Sequence, residues 1–270
     1  MENYINLFIS EYQSEGTRKI YEKIINNLLN SLNKDINEIT KLDLVEYKST
    51  LKNLAVATQA QRIMCIKSYF KFLFENEILD SNPASTLSAP HVEHKPKDYL
   101  TTDEAIAMMH YGNIREQAII AVFLNTGIRV AELINIQLED YLANPHELVL
   151  LTKRNKYRKI YFNDDTINLI NEYLKVRKKG CDNLFVGNQG SPLTEENLNR
   201  AWKKLARKAG VEKHVTNHSF RSTYITTIAK EHGIVLAQMA VGHTNISTTR
   251  IYIRGMEEDV KNVMMNVRVC

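Results

Sequence analysis

Apolar residues recur every three or four positions through the first third of the chain, as they do along the buried face of an α-helix. The pattern predicts three helices, over residues 16–32, 40–51 and 57–77. Their expected core positions are Ile20, Ile24 and Leu28, then Leu44, Tyr47 and Leu51, then Ile63, Ile66, Phe70 and Phe74. We therefore expect residues 1–87 to form a helical domain.

Residues 88–98 break this periodicity, because Pro90 and Pro96 lie there among polar residues, as in an interdomain linker. Beyond them, Thr101 begins a helix-start signature, and two short β-type runs around a polar turn predict a hairpin. The hairpin runs are residues 147–152 and 158–162, and the helices are predicted over residues 114–125, 130–136, 165–178, 194–209, 218–232, 235–241 and 257–267. The expected fold is mainly α with a small β-hairpin, in two domains, 1–87 and 99–270.

The composition is that of a globular protein, with 44% hydrophobic and 24% charged residues in a chain of 270. Its positive charge is uneven along the chain. Residues 1–90 hold 10 Lys and Arg against 11 Asp and Glu, whereas the remainder holds 25 against 20. A polyanion such as nucleic acid would therefore be attracted mainly to the second domain.

The three cysteines, Cys65, Cys181 and Cys270, lie far apart and lack metal-ligand spacing. We therefore expect neither a disulfide framework nor a zinc site. The N-terminus lacks the pattern of a secretion signal, and no stretch approaches the ~18 apolar residues of a membrane span. These features predict a cytoplasmic protein with no membrane partner.

Two arginines stand in apolar or glycine-bounded settings rather than on charged faces. Arg129 follows Gly127, and its guanidinium would either pair with Glu132 or point into a site. Arg221 lies three residues after His218, so a helix would place both on one side. Arginine suits phosphoryl transfer because its planar fork binds two phosphate oxygens and keeps its proton. These residues are candidates for holding a phosphate and moving a proton.

Basic residues are concentrated at the predicted hairpin tip, where five of the seven residues from 153 to 159 are Lys or Arg. Such a tip fits either a solvated turn or a loop that enters a DNA groove and supplies a lysine as general acid. The helix predicted over residues 57–77 interleaves Arg62, Lys67 and Lys71 with its apolar positions. Those cations fit either a solvated face or contacts with phosphates.

Near the end of the chain, Gly242 and His243 form a predicted turn, and Tyr252 follows His243 by nine residues. One tyrosine among 13 is a poor candidate for a nucleophile by itself. The order of arginine, basic hairpin, HxxR, Gly-His and tyrosine, however, resembles the tyrosine recombinase (phage integrase) family. Segments 126–133, 218–221 and 242–252 carry the match, and the helices of residues 1–87 resemble the family's core-binding domain. The chain is similar to the simple Xer-like type, or to plasmid and transposon resolvases.

The resemblance implies a role for each matching residue. Arg129 and Arg221 would hold the scissile phosphate, His218 would handle the tyrosine proton, Lys153 would protonate the leaving oxygen, His243 would bond a phosphate oxygen, and Tyr252 would be the nucleophile. Arg154 stands where the family usually has glycine, which leaves Lys156 as an alternative to Lys153. Glu132 is expected to orient the site. The expected DNA contacts are Arg62, Lys67, Lys71, Arg154, Lys156 and Arg158.

The resemblance also implies cleavage and rejoining of DNA through a 3′-phosphotyrosyl bond, without metal, ATP or another cofactor. The expected partner is double-stranded DNA with inverted half-sites, bound by a dimer on each site and a tetramer in the synaptic complex. The helix 257–267 would dock on a neighbouring subunit or pack on its own chain. Two other functions fit the same residues less well: a type IB topoisomerase without strand exchange, and a non-catalytic DNA-binding regulator.

Overall fold

The computed structural model describes residues 2–92, 99–152 and 156–242 of the chain. It divides into two compact units, residues 1–94 and 95–270. Each unit has a large hydrophobic core of its own. The expected fold class is confirmed, since the described residues form twelve α-helices and one two-stranded sheet.

The first unit is built from four helices, α1 to α4, which span Glu2–Ser10, Glu15–Leu32, Lys41–Thr50 and Val56–Glu75. Thr40 caps α3 as its sequence predicts, because its hydroxyl accepts a hydrogen bond from the backbone N–H of Asp43. The core is rich in aromatic side chains: Phe8 of α1 lies edge-on to Tyr69 of α4, with ring centroids 5.2 Å apart. The helix α1 was not predicted from the sequence.

Two expectations for this unit are wrong in detail. The helix α2 begins at Glu15 because Ser14 is its N-cap, accepting from the backbone N–H of Thr17. Ile20 and Phe74, expected in the core, are each 46% exposed. The buried stripes run instead through adjacent pairs, Ile24–Ile25 and Leu28–Leu29 on α2, so they are rotated slightly from a strict four-residue spacing.

The second unit begins with four helices, α5 to α8, which span Thr102–Tyr111, Ile114–Thr126, Val130–Leu133 and Leu138–Ala143. The strands β1 and β2 follow at Glu147–Thr152 and Lys156–Tyr161, and the helices α9 to α12 span Asp164–Val176, Glu195–Lys208, Asn217–His232 and Ile234–Val241. Because α6 packs against both α9 and α11, its middle turns are buried on nearly every side. This helix is the centre of the core.

The hairpin is antiparallel and in register from Glu147 opposite Tyr161 to Thr152 opposite Lys156. The strand β2 begins two residues earlier than predicted. One face of the hairpin buries Leu148, Leu150 and Ile160 against the core. Arg158 lies opposite Leu150 on this same face, which brings a guanidinium to the inner side of the sheet.

Other boundaries differ from the predictions as well. The helix α7 ends at Leu133 rather than near residue 136, and α8 was not predicted. Leu87 is buried and Ala89 packs against the first core, so the chain stays with the first unit beyond residue 87. Most of the predicted linker, residues 93–98, and the predicted helix 257–267 lie outside the described residues. In the part of the chain that is described, no helix is long and apolar enough to cross a membrane.

Candidate active site

Arg129 stands at the junction between α6 and α7. The helix α6 ends at Gly127, whose φ of 57° is left-handed and therefore favours glycine. A Cβ atom at this position would also overlap with Cδ1 of Tyr224. After this turn Arg129 is the residue immediately before α7, with its side chain 34% exposed. The guanidinium is thus held at the surface of a buried junction.

Glu132 organises the cations around this junction. Its Oε2 accepts a hydrogen bond from the backbone N–H of Arg129 at 3.0 Å, which caps α7. Its Oε1 accepts from Nη1 of Arg129 at 2.8 Å, and its Oε2 also accepts from Nη2 of Arg158 at 3.0 Å. One buried carboxylate therefore holds two guanidinium groups.

The ionisation of Glu132 follows from these contacts. Burial by itself would raise the pKa of this carboxyl, but the backbone N–H of Arg129 and the charges of Arg158 and Arg129 outweigh it. The pKa of Glu132 is consequently lowered from its ordinary value, and the group is ionised at neutral pH. It can therefore act as a fixed anion between two cations.

Arg158 reaches this carboxylate from β2 and is only 11% exposed. Its Nη1 donates to the backbone oxygen of Ala240 at 2.8 Å, in the last turn of α12. Burial lowers the pKa of Arg158, and the Glu132 charge partly offsets that effect. Arginine nevertheless keeps its proton. The residue thus connects the hairpin, α7 and α12.

Arg221 is the most deeply buried cation of the site, at 3% exposure. Its Nη1 donates to the backbone oxygen of Gly127, and its Nη2 donates to that of Val241 at 3.0 Å. Both acceptors lie at the C-terminal ends of helices, where backbone oxygens have no partner within the helix and carry partial negative charge. The guanidinium of Arg221 therefore ties α11 to the ends of α6 and α12.

His218 lies in the first turn of α11 and is exposed, three residues before Arg221. The start of this helix is held by α10, because Nε1 of the buried Trp202 donates to Oδ1 of Asn217 at 2.6 Å. The backbone N–H of Asn217 in turn donates to Oδ1 of Asn199 at 3.0 Å. These polar contacts fix the turn that carries the HxxR pair.

Tyr224 is one further turn along α11 and was not singled out from the sequence. Its ring packs against Gly127. Burial raises the pKa of its hydroxyl, while the nearby charges of Arg158 and Arg221 lower it in part. A partly buried phenol with a raised pKa is a poor nucleophile, so we interpret Tyr224 as a packing residue beside the arginines.

The structure thus brings together Arg129, Glu132 and Arg158, and links Arg221 to the same junction through Gly127. The site therefore contains three guanidinium groups, two of which pair with the carboxylate of Glu132. The sum of these charges is positive, which suits a phosphate whose charge grows in the transition state. Several predicted site residues, namely Lys153, Arg154, His243, Tyr252 and the side chain of Lys156, lie outside the described residues. In residues 2–92, 99–152 and 156–242, no group of three or more His, Cys, Asp or Glu is placed to hold a metal ion.

The cations predicted to contact DNA from the first unit differ in their surroundings. Lys67 donates to the backbone oxygen of Leu87 at 2.7 Å, and Arg62 lies against Tyr47. Lys71 is exposed, and in the described part of the chain its one ion pair, with Glu75, is loose at 3.5 Å. Lys71 is therefore the best placed of the three to meet a phosphate.

Comparison with known proteins identifies the family. Residues 98–258 match the model of the phage integrase family. Tyrosine recombinase XerC of Leptospira interrogans is 27% identical, with 97% of this chain and 90% of that protein covered. XerC of Vibrio vulnificus strain YJ016 is 30% identical, over 76% of this chain and 68% of that protein.

Comparison with solved structures gives the same family. The crystal structure of XerA recombinase is 27% identical, with a TM-score of 0.57 and 99% of each chain covered. A lambda integrase tetramer bound to a Holliday junction has the same fold, with a TM-score of 0.77 at 16% identity, over 93% of this chain and 75% of that one. This chain belongs to the phage integrase family of tyrosine recombinases.

Proposed function

We propose that this protein is a site-specific DNA recombinase that cleaves and rejoins strands through a 3′-phosphotyrosyl bond at Tyr252. The observation that carries the proposal is the linkage of Arg129 and Arg221. They come from different elements, and Arg221 donates to the backbone oxygen of Gly127, two residues before Arg129. A single rigid junction therefore controls both cations expected at the scissile phosphate.

The chemical step is a displacement at phosphorus. The hydroxyl oxygen of Tyr252 attacks, its bond to phosphorus forms, and the bond from phosphorus to the 5′-oxygen breaks. His218 takes the tyrosine proton, and Lys153 gives a proton to the leaving 5′-oxygen, with Lys156 as the alternative donor. His243 bonds a non-bridging oxygen. Arg129 and Arg221 stabilise the added negative charge of the transition state.

The covalent bond to tyrosine retains the energy of the phosphodiester. A 5′-hydroxyl from a second duplex can therefore attack the phosphotyrosine and release Tyr252 with no net change in bond type. In this scheme the protein's own cations stabilise charge, and rejoining needs no ATP. Exchange of strands between two duplexes gives recombination rather than simple relaxation.

The lambda integrase relative was solved as a tetramer on a Holliday junction, and a XerH relative on a palindromic substrate. By analogy, we infer that two copies of this protein bind inverted half-sites and that two such duplexes meet in a tetramer. The helix 257–267 is proposed to dock on a neighbouring subunit. Because the substrate is DNA, we place the reaction in the cytoplasm.

Exchange between two sites tests this function. A library of nicked duplexes with randomised inverted repeats is incubated with the protein, and DNA held in detergent-resistant adducts is sequenced to find the preferred site. Two copies of that site on one plasmid should then yield deleted or inverted products. If the plasmid is only relaxed, the type IB topoisomerase alternative holds. If it is bound but never cut, the protein is a DNA-binding regulator.

A further inference from the structure

We propose that Arg158 is a positioning residue of this active site: its guanidinium holds Glu132 and the last turn of α12, and so sets the orientation of Arg129. The inference rests on the proposed function and deepens it. It replaces the sequence-based expectation that Arg158 contacts DNA.

The geometry of the guanidinium carries the argument. One terminal nitrogen donates to Oε2 of Glu132 at 3.0 Å and the other to the backbone oxygen of Ala240 at 2.8 Å. The same carboxylate holds Arg129 by its side chain and by its backbone N–H. Any movement of Arg158 therefore displaces the anion that fixes the rotamer of Arg129.

The last turn of α12 extends the same network. Arg158 donates to Ala240 and Arg221 donates to Val241, so adjacent backbone oxygens receive the two guanidinium groups. Gly242 follows with a left-handed φ of 64°, and a Cβ there would approach Cδ of Arg158 to 3.2 Å. Arg158 thus shares one helix end with Arg221 and one carboxylate with Arg129, which links the two phosphate-binding arginines.

Exposure argues against a direct DNA contact. The Arg158 side chain is 11% exposed, whereas the next residue along β2, Lys159, is 57% exposed and pairs with Glu147 on the outer face. Alternate residues of a strand point to opposite faces. The side chain that β2 turns outward at this point is therefore Lys159, not Arg158.

Stability alone does not account for the residue. Buried ion pairs are often no more stabilising than well-packed apolar side chains of similar size. The Nε atom of Arg158 is also buried without a hydrogen-bond acceptor among the described residues. A buried guanidinium that leaves one N–H without an acceptor is not optimised for stability, so its role is better explained by the groups that it positions. Lysine could not replace it, since an ammonium lacks the planar fork that bridges two acceptors.

The test measures single-turnover formation of the covalent adduct at saturating protein, on the nicked duplex recovered by selection. Arg158→Met should slow adduct formation roughly 100-fold, the effect of misplacing a catalytic group by about 1 Å. Arg158→Lys should remain slow. Lys159→Met is the matched control, because it removes the same charge from the same strand on the other face, and its rate should stay within about threefold of the wild type.

Two further measurements separate positioning from damage to the hairpin. The double variant Glu132→Gln, Arg158→Met should be no slower than the worse single variant, because both changes interrupt one linkage. A methylphosphonate at the cleavage position has less charge to neutralise, so the loss caused by Arg158→Met should shrink on that substrate. Thermal unfolding of each variant checks that it is folded.

Several results would overturn the inference. Arg158→Met could match Lys159→Met, the losses in the double variant could multiply, or the loss could persist on the methylphosphonate. A loss that disappears when the leaving 5′-oxygen is replaced by sulfur would instead assign Arg158 to placing the hairpin lysine, because a thiolate leaves without a proton. If the wild type forms no adduct at all, the proposed function fails first and the inference fails with it.

Discussion

Single residues decide the electrostatics of this site. Arg129 was expected either to pair with Glu132 or to point into a site, and the structure shows that it pairs while staying 34% exposed. Arg158 was expected to contact DNA because its neighbours at the hairpin tip are basic, whereas its burial supports the positioning role that we propose. The two-residue periodicity of β2 predicts this burial, since Arg158 and the apolar Ile160 must share a face.

The carboxylate of Glu132 should contribute stability that depends on pH. Its pKa is lowered in the folded protein, so the contribution is complete above the ordinary glutamate pKa of about 4.3 and is lost as the pH falls through the lower folded value. Glu132→Gln should lower the unfolding free energy by about 3 kcal/mol at pH 7. Urea titrations from pH 7 to pH 3 should show this difference narrowing only in the acidic range. A constant difference would contradict the assignment.

Gly127 should tolerate no side chain. Gly127→Ala places a methyl group in a left-handed conformation and against the ring of Tyr224, so we expect a loss of about 2–4 kcal/mol in unfolding free energy. Gly210→Ala is the matched control, because its φ is 70° but no atom lies within 4 Å of the added Cβ. That variant should lose only the backbone contribution of about 1 kcal/mol. Equal losses in chemical denaturation would show that the Tyr224 contact is unimportant.

At the scale of elements, the long periodic helices were predictable, whereas α1 and α8 were missed and the end of α7 was misplaced. The helices α3, α5 and α6 begin with caps that the sequence shows clearly. The helix α8 has only six residues, too few to display a periodicity. The start of α7 is capped by the carboxylate of Glu132, which accepts from the backbone N–H of Arg129, rather than by a Ser or Thr side chain. Tertiary contacts, which a single sequence does not display, decide such elements.

The contact between α10 and α11 should be energetically coupled. Trp202→Phe and Asn217→Ala each leave one buried polar group without its partner, which costs about 1–3 kcal/mol. Because both variants break the same hydrogen bond, the double variant should lose less than the sum of the two, by at least ~0.5 kcal/mol. Strict additivity in urea unfolding would mean that this bond does not fix the start of α11.

Across the whole molecule, the two cores are separate and the basic excess lies in the second part of the chain. The sequence indicated the first feature by the break in periodicity at residues 88–98 and the second by the distribution of charged residues. It could not show which cations are available, because that depends on partners in the fold. Lys67 and Lys71 look equivalent in sequence, yet only Lys67 donates to a backbone oxygen in the first unit.

DNA binding should distinguish these two lysines. If Lys71 contacts a phosphate, Lys71→Gln should weaken binding similarly on all sequences and reduce the slope of log K against log salt by about 1. Lys67→Gln should leave that slope nearly unchanged and instead lower the unfolding free energy by about 1 kcal/mol, because the oxygen of Leu87 loses its donor. Affinities measured across a salt series, with urea unfolding of both variants, check the contrast. The reverse pattern would exchange their roles.

The most direct test of the whole account is the identity of the residue joined to DNA. Wild-type protein, Tyr252→Phe and Tyr224→Phe are each incubated with the selected nicked duplex, and any adduct is digested and mapped by mass spectrometry. We predict a nucleotide joined through its 3′-phosphate to Tyr252 in the wild type and in Tyr224→Phe, and no adduct with Tyr252→Phe. An adduct that persists in Tyr252→Phe, or one that maps to another residue, would contradict the mechanism.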